Sequence, residues 1–208
     1  MEHCVILSAC PVGRAMRQYL RPDSFVIACD AGYRNARALG VRPNLVVGDF
    51  DSAPPPPAGG QTVVLPHVKD DTDTHYAARW ALQQGARQVV LLGALGGRRI
   101  EHTMANFATG LFLQRGGAQA LLADEQSEAR FLLAGGTLCL PRGPWQYFSL
   151  FPLEGEALGV TVEGAAYPLR GAALRPDYPV GVSNEWEVPE VRISLQQGSM
   201  AVICTRPD

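Results

Sequence analysis

Leu45-Val46-Val47-Gly48-Asp49-Phe50-Asp51-Ser52 is a short apolar run that delivers two carboxylates one residue apart. Alternation in an extended segment sets Asp49 and Asp51 on the same side and turns Phe50 toward the interior. Two such charges ~4 Å apart in an effective dielectric of about 20 repel by roughly 4 kcal/mol. Something of opposite charge must compensate. Further acids can converge on the same place: Asp30, at the end of Phe25-Val26-Ile27-Ala28-Cys29, and the trio Asp70, Asp71 and Asp73. A hard dication answers the repulsion best, because Mg²⁺ takes carboxylate oxygens and fills its other positions with water and substrate phosphates. The expectation is a magnesium site at the carboxyl ends of parallel strands.

Working outward, Val5-Ile6-Leu7 reads as a buried strand that ends in Ser8-Ala9-Cys10-Pro11 and leads to a helix through Met16 to Leu20. Phe25 to Cys29 is the next strand, and a helix from about Tyr33 to Leu39 stops at Gly40. Strand, helix, strand, helix predicts parallel α/β with crossovers, in which ligands bind outside the carboxyl ends of the strands. Pro54 to Pro57 with Ala58-Gly59-Gly60 is a surface loop, because proline lacks the amide donor. Thr62 to Leu65 resumes as a strand, followed by Lys69-Asp70-Asp71-Thr72-Asp73, where Thr72 or Asp73 can cap a helix to Gln84. The acids suit that helix's dipole, yet three of them beside the only lysine exceed what a cap needs.

Gln88 to Leu92 is a continuous apolar strand that runs into Gly93-Ala94-Leu95-Gly96-Gly97-Arg98-Arg99. The helix beyond carries Ile100, Met104, Phe107, Ala108 and Leu111 at helical spacing, with Glu101, His102 and Asn106 on the other side. His102 and Asn106, four apart, point the same way. A Gly-Gly turn at a helix start lets backbone amides approach a phosphate, and Arg98 or Arg99 can add a bidentate clamp. His102 admits a structural role as readily as a functional one.

After Ala118 to Leu122 the texture changes to short strand-like runs separated by Gly and Pro, the signature of a small antiparallel sandwich or barrel. The expected domains are residues 1–128, an α/β catalytic domain, and residues 129–208, a β domain. The aromatics Trp145, Tyr147, Tyr167 and Trp186 could stack on a flat ligand, or could anchor a small β core.

The whole chain has 208 residues, 47% apolar and 18% charged, with a net charge of -2. That balance argues against a nucleic-acid or anionic-membrane binder, which needs a basic face. No apolar stretch reaches membrane-spanning length and no signal peptide opens the sequence, so a cytoplasmic location is expected. The five cysteines include no CxxC pair and read as reduced, mostly buried thiols.

The ordered set Ala28-Cys29-Asp30-Ala31-Gly32, Gly48 to Ser52, Lys69 to Asp73, Gly96 to His102 with Asn106, Phe148 to Leu153, Tyr167-Pro168-Leu169 and Ser183-Asn184-Glu185 resembles the bacterial thiamine pyrophosphokinases. The resemblance implies an N-terminal α/β catalytic domain, a C-terminal β domain and a homodimer with thiamine near the subunit interface. It implies transfer of the β,γ-diphosphate of ATP to the hydroxyethyl oxygen of thiamine, with release of AMP. By position, Asp30, Asp49, Asp51 and Asp73 would hold Mg²⁺. Arg98 and His102 would line the same cleft; independently, the chemistry lets Lys69 or Arg98 offset charge on the departing AMP or the moving diphosphate, and an aspartate not fully engaged by metal, Asp51 or Asp73, take the hydroxyl proton. Gly32, Ser52, Gly96, Gly97 and Asn106 would serve the nucleotide, and Ser183, Asn184 and Trp186 would face thiamine. The chain departs from the family's pattern at Ala31, at Glu101 and at Ala165-Ala166. Ala31 matters only if that backbone needs positive φ, which alanine resists. A diphosphotransferase for another hydroxymethyl heterocycle, pterin-like, and a non-catalytic thiamine diphosphate or nucleotide sensor are the alternatives.

Overall fold

Continuous apolar runs form strands buried on both faces, and that is how the first part of the chain is built. The computed structural model describes residues 1–49, 61–64 and 71–207. The expectations for Phe50, Asp51, Ser52, the loop from Pro54 to Gly60, Leu65, Lys69 and Asp70 lie outside the described residues. The chain divides into two units, Met1–Glu125 and Gln126–Asp208.

In the first unit the elements run β1 (His3–Leu7), a 3-10 helix (Arg14–Tyr19), β2 (Phe25–Cys29), α1 (Gly32–Leu39), β3 (Leu45–Gly48) and β4 (Gln61–Val64). They continue with α2 (Asp73–Gln83), β5 (Gln88–Leu92), α3 (Ile100–Arg115) and β6 (Gln119–Ala123). The strands are parallel, in the order β4-β3-β2-β1-β5-β6. The chain thus steps outward from β1 to β4, then returns to add β5 on the other side of β1. β1 and β5 flank a topological switch point, where open α/β sheets place their ligands.

Burial explains the strands. Every residue of β1 is buried, and alternate positions serve opposite faces. Val5 and Leu7 join Val26, Val90 and Leu92 in a cluster with Met16 of the 3-10 helix and with Ala36 and Leu39 of α1. Each such fully buried aliphatic side chain contributes about 1.5–3 kcal/mol. α2 covers β1, β2 and β3 with the small residues Ala77, Ala78 and Ala81, all fully buried. The helix expected from Met16 to Leu20 is a six-residue 3-10 turn instead. Pro22 explains its early end, since the residue before a proline is pushed out of the helical region.

α3 corrects the expected apolar stripe. Ile100 and Met104 are 75% and 70% exposed, while Asn106, Thr109, Gly110, Leu111 and Leu113 are buried. Leu111 keeps its expected burial, and with Leu113 it shares the packed face with the small and polar Asn106, Thr109 and Gly110, which allow close approach to α2 and β6.

The second unit contains β7 (Ser127–Leu133), β8 (Thr137–Pro141), β9 (Tyr147–Pro152), β10 (Ala157–Glu163), β11 (Leu169–Leu174), β12 (Glu190–Ser194) and β13 (Ser199–Thr205). β13 pairs antiparallel with both β7 and β9, and β11-β10-β12-β8 form a second antiparallel ladder. One core of residues from both ladders, including Phe148, Leu150, Val160, Val162, Ile193 and Met200, makes this the expected sandwich. Of the cysteines, Cys4, Cys29 and Cys204 are buried, Cys10 is half-buried and Cys139 is exposed, all of them free thiols. Burial pushes the Cys4 and Cys204 thiols up to about 12, which keeps them protonated and inert. Among the described residues no helix is long and apolar enough to cross a membrane.

Candidate active site

A cleft of about 400 Å³ opens at the carboxyl ends of β1 and β5. Four segments line it: Ser8 to Pro11 after β1, Cys29 and Asp30 at the end of β2, Thr72 to Thr74 at the start of α2, and residues between Gly93 and Asn106 after β5. The cleft thus lies at the edge where the strand-end rule expects a ligand.

Asp30 leaves β2 in the left-handed region, with φ 44. A non-glycine residue pays for that conformation, although aspartate is among those that tolerate it best. Its amide donates to the Val47 carbonyl at 2.8 Å, which fixes it against the end of β3. Gly48 makes room there, since a Cβ at that position would lie 3.3 Å from the Asp30 Cα. Strain held by neighbouring structure is characteristic of a working position.

Asp73 opens α2 directly after the cap Thr72, whose hydroxyl accepts the His75 amide at 3.1 Å. The next residue, Thr74, shares a buried hydroxyl contact of 2.8 Å with Ser8. The Cys29 thiol donates to the Asp73 carbonyl at 3.5 Å. The end of β2 and the start of α2 are therefore pinned side by side, and Asp30 and Asp73 line one cavity.

The glycine turn lines the same cleft. Gly96 and Gly97 have φ 71 and 81, a pair of left-handed residues that side chains would resist. A Cβ on Gly97 would also come within 2.8 Å of the Cys10 sulfur. α3 secures the turn from behind: the Thr103 hydroxyl donates to the Gly96 carbonyl at 3.2 Å and the Asn106 amide to the Ala94 carbonyl at 2.7 Å. Arg98, Arg99, His102 and Asn106 all line the cleft. Glu101 does not; its carboxylate accepts from Arg99 Nε at 2.7 Å on an exposed surface. That bond holds the Glu101 carboxyl below its usual range.

Of the residues expected at the site, Asp30, Asp73, Gly96, Gly97, Arg98, His102 and Asn106 meet in this cleft. Asp49 follows β3 and is half-buried. Asp51, Ser52 and Lys69 lie outside the described residues. Among the described residues no group of three or more His, Cys, Asp or Glu stands close enough to hold a metal. Gly32 has a packing role: a Cβ there would lie 2.0 Å from the Leu7 carbonyl oxygen, so this glycine lets α1 pack on β1. Ala31 carries no positive-φ strain, since its φ of -59 is right-handed. The sequence reading missed Ser8, Cys10 and Thr74, although Ser8 and Cys10 follow a buried strand at the same edge as the acids.

In the second unit Ser183 is exposed at φ 58, and its amide donates to the Ser149 hydroxyl at 3.0 Å. The buried Asn184 amide accepts from the Tyr167 and Glu185 amides at 3.0 and 2.9 Å and donates to the Tyr167 carbonyl at 2.8 Å. It ties two loops together. Trp186 does not fit a place facing a ligand. It is 5% exposed, meets Phe148 edge-on at 4.8 Å and donates its indole N–H to the Leu140 carbonyl at 2.9 Å.

Two family models match the chain: the thiamin pyrophosphokinase catalytic domain over residues 16–120 and the thiamin pyrophosphokinase vitamin B1 binding domain over residues 137–200. A comparison with curated protein sequences returns no significant match. Among solved structures, thiamine pyrophosphokinase from Bacillus subtilis superposes with a TM-score of 0.89 at 21% identity, covering 100% of both chains. Thiamin pyrophosphokinase from Geobacillus thermodenitrificans gives 0.83 at 25% identity, covering 100% of this chain and 99% of that one. The Candida albicans thiamin pyrophosphokinase gives 0.81 at 13% identity over 98% of this chain and 89% of that one. With a catalytic-domain match spanning half of its length and the vitamin B1 binding domain following in order, the chain belongs to the thiamin pyrophosphokinase family.

Proposed function

We propose that this enzyme transfers the β,γ-diphosphate of ATP to the hydroxyethyl oxygen of thiamine, with Mg²⁺, and releases AMP. The observation that carries the reading is the meeting of Asp30 and Asp73 with Gly96, Gly97, Arg98 and His102 in one cleft at the switch point. The donor set fits a hard dication. Magnesium needs only one or two carboxylates beside water and substrate phosphates, and Asp30 and Asp73 supply two. Asp49, Asp51 and the segment around Lys69 would complete the surroundings. When bound, the ion neutralises the triphosphate.

This chain's own residues do the rest by charge and alignment, as phosphoryl chemistry requires. Arg98 would take phosphate oxygens bidentately, and the left-handed Gly96-Gly97 backbone leaves space for close approach of the phosphates. The thiamine hydroxyl oxygen bonds to the β-phosphorus while the bond from that phosphorus to the oxygen bridging the α-phosphate breaks. The bridging oxygen leaves on AMP, with Arg98 or Lys69 offsetting its charge. The hydroxyl proton passes to Asp51 or Asp73.

The vitamin B1 binding domain match favours thiamine over another hydroxymethyl heterocycle as acceptor. A cytoplasmic homodimer is part of the same proposal; light scattering should then report twice the 22.4 kDa chain mass. Incubation with thiamine, ATP and Mg²⁺ should yield thiamine diphosphate and AMP in equal amounts. Formation of ADP, or of no thiamine diphosphate, would refute the reading.

A further inference from the structure

Asn35 of α1 holds the wall of the cleft without touching the cavity. It is 4% exposed. Its amide nitrogen donates to the Ser8 carbonyl at 2.6 Å and to the Cys10 carbonyl at 2.8 Å, and its oxygen accepts the Val12 amide at 3.2 Å. Two carbonyls at one end and an N–H at the other fix the orientation of the amide without ambiguity. One side chain thus bonds the backbone at three points of the segment that leaves β1.

That segment reaches both halves of the cleft. Ser8 shares its hydroxyl contact with Thr74, the neighbour of Asp73. The Cys10 thiol donates to the Gly96 carbonyl at 3.4 Å, beside the turn that presents Arg98. The packing behind leaves no slack. A Cβ on Gly93 would lie 2.4 Å from the Cys10 carbonyl oxygen, 2.8 Å from that of Ser8 and 2.9 Å from the Asn35 nitrogen. Gly32, one turn earlier on α1, is what brings Asn35 this near.

We infer that Asn35 is a positioning residue for the nucleotide: through Ser8 and Cys10 it sets the spacing between the carboxylates Asp30 and Asp73 on one side and the Gly96-Gly97-Arg98 turn on the other. This rests on the reading that the cleft takes ATP.

The test is steady-state kinetics of Asn35→Ala and Asn35→Asp, with Arg98→Ala as a control for the cleft itself. Asn35→Asp keeps the shape and the acceptor for Val12, and turns an oxygen toward the two carbonyls. Both variants should raise KM for ATP about ten-fold or more, because small misplacements of aligned groups are costly. KM for thiamine should stay within about two-fold, the split that separates nucleotide positioning from general damage. An unchanged KM for ATP with only a lowered melting temperature would overturn the inference. So would equal rises in both KM values, or failure of both variants to fold. If Arg98→Ala also leaves KM for ATP unchanged, the cleft reading itself falls; if Arg98→Ala raises it and Asn35 variants do not, only the role of Asn35 falls.

Discussion

Gly32 and Leu7 are in such close contact that a Cβ on the glycine would sit 2.0 Å from the Leu7 carbonyl oxygen. Gly32 is the first residue of α1, and a helical glycine exchanged for alanine ordinarily gains about 0.5–1 kcal/mol. Here the backbone of β1 cannot give way without moving the sheet. Gly32→Ala should therefore lose about 2 kcal/mol or more, as overpacked cores do. Urea denaturation checks the sign; a stabilised variant would show that α1 packs on β1 more loosely than described.

Ala31 tells the opposite story. With φ -59 it already has the right-handed conformation that any residue accepts. Restoring the family's glycine by Ala31→Gly should lower stability by about 0.4–1 kcal/mol through the unfolded chain and leave turnover as it is. A gain in activity would mean that the alanine does restrict the Asp30 loop.

Trp186 is expected to matter for stability rather than for thiamine. Trp186→Phe keeps an aromatic ring beside Phe148 but removes the indole donor from the Leu140 carbonyl, which stays paired in the β8–β12 ladder, so the loss should be about 0.5–1.5 kcal/mol. KM for thiamine should stay within about two-fold. A large rise in that KM without loss of stability would return the indole to the thiamine site.

His3 gives stability a pH dependence. Burial first, then the charge of Arg21, hold its imidazole below the ordinary 6.5, with Asp23 pulling the other way. The unfolded chain therefore binds more protons than the folded one in the interval below 6.5. The stability that goes with neutral His3 is fully present above the unfolded value and is lost as pH falls through the lowered folded one. Urea midpoints measured across that interval should fall less steeply with acid in His3→Gln than in the native protein. Parallel slopes would remove His3 as the cause.

How much the sequence revealed can be traced to particular residues. β2 and β5 have the bounds expected of them, Phe25–Cys29 and Gln88–Leu92, because strands buried on both faces read as unbroken apolar runs. The same logic located the acids at the carboxyl edge. β11 carries little strand signal, since Leu-Arg-Gly-Ala-Ala-Leu has neither alternation nor β-branched residues, and its place in the ladder comes from pairing with β10. α3 misled in part for a related reason: Leu111 is buried as its period predicts, but Asn106, Thr109 and Gly110, small enough to pack closely and invisible to an apolar period, share that buried face. Trp186 could not be assigned from composition, because an indole suits a ligand face and a β core equally. Asn35 gave no signal at all; its importance lies in the carbonyls of Ser8 and Cys10, which only the fold brings to it.

The central claim is that Asp30 and Asp73 give one cleft its affinity for a magnesium-bound triphosphate. Calorimetric titration of a non-hydrolysable ATP analogue, with and without Mg²⁺, into the native protein and into the double variant Asp30→Asn with Asp73→Asn tests it directly. Asparagine tolerates the left-handed backbone at Asp30, so the fold should survive. Mg²⁺ should tighten binding about ten-fold or more in the native protein and have little effect on the double variant, a difference of about 1.4 kcal/mol in the coupling. An equal response to Mg²⁺ in both proteins would contradict it.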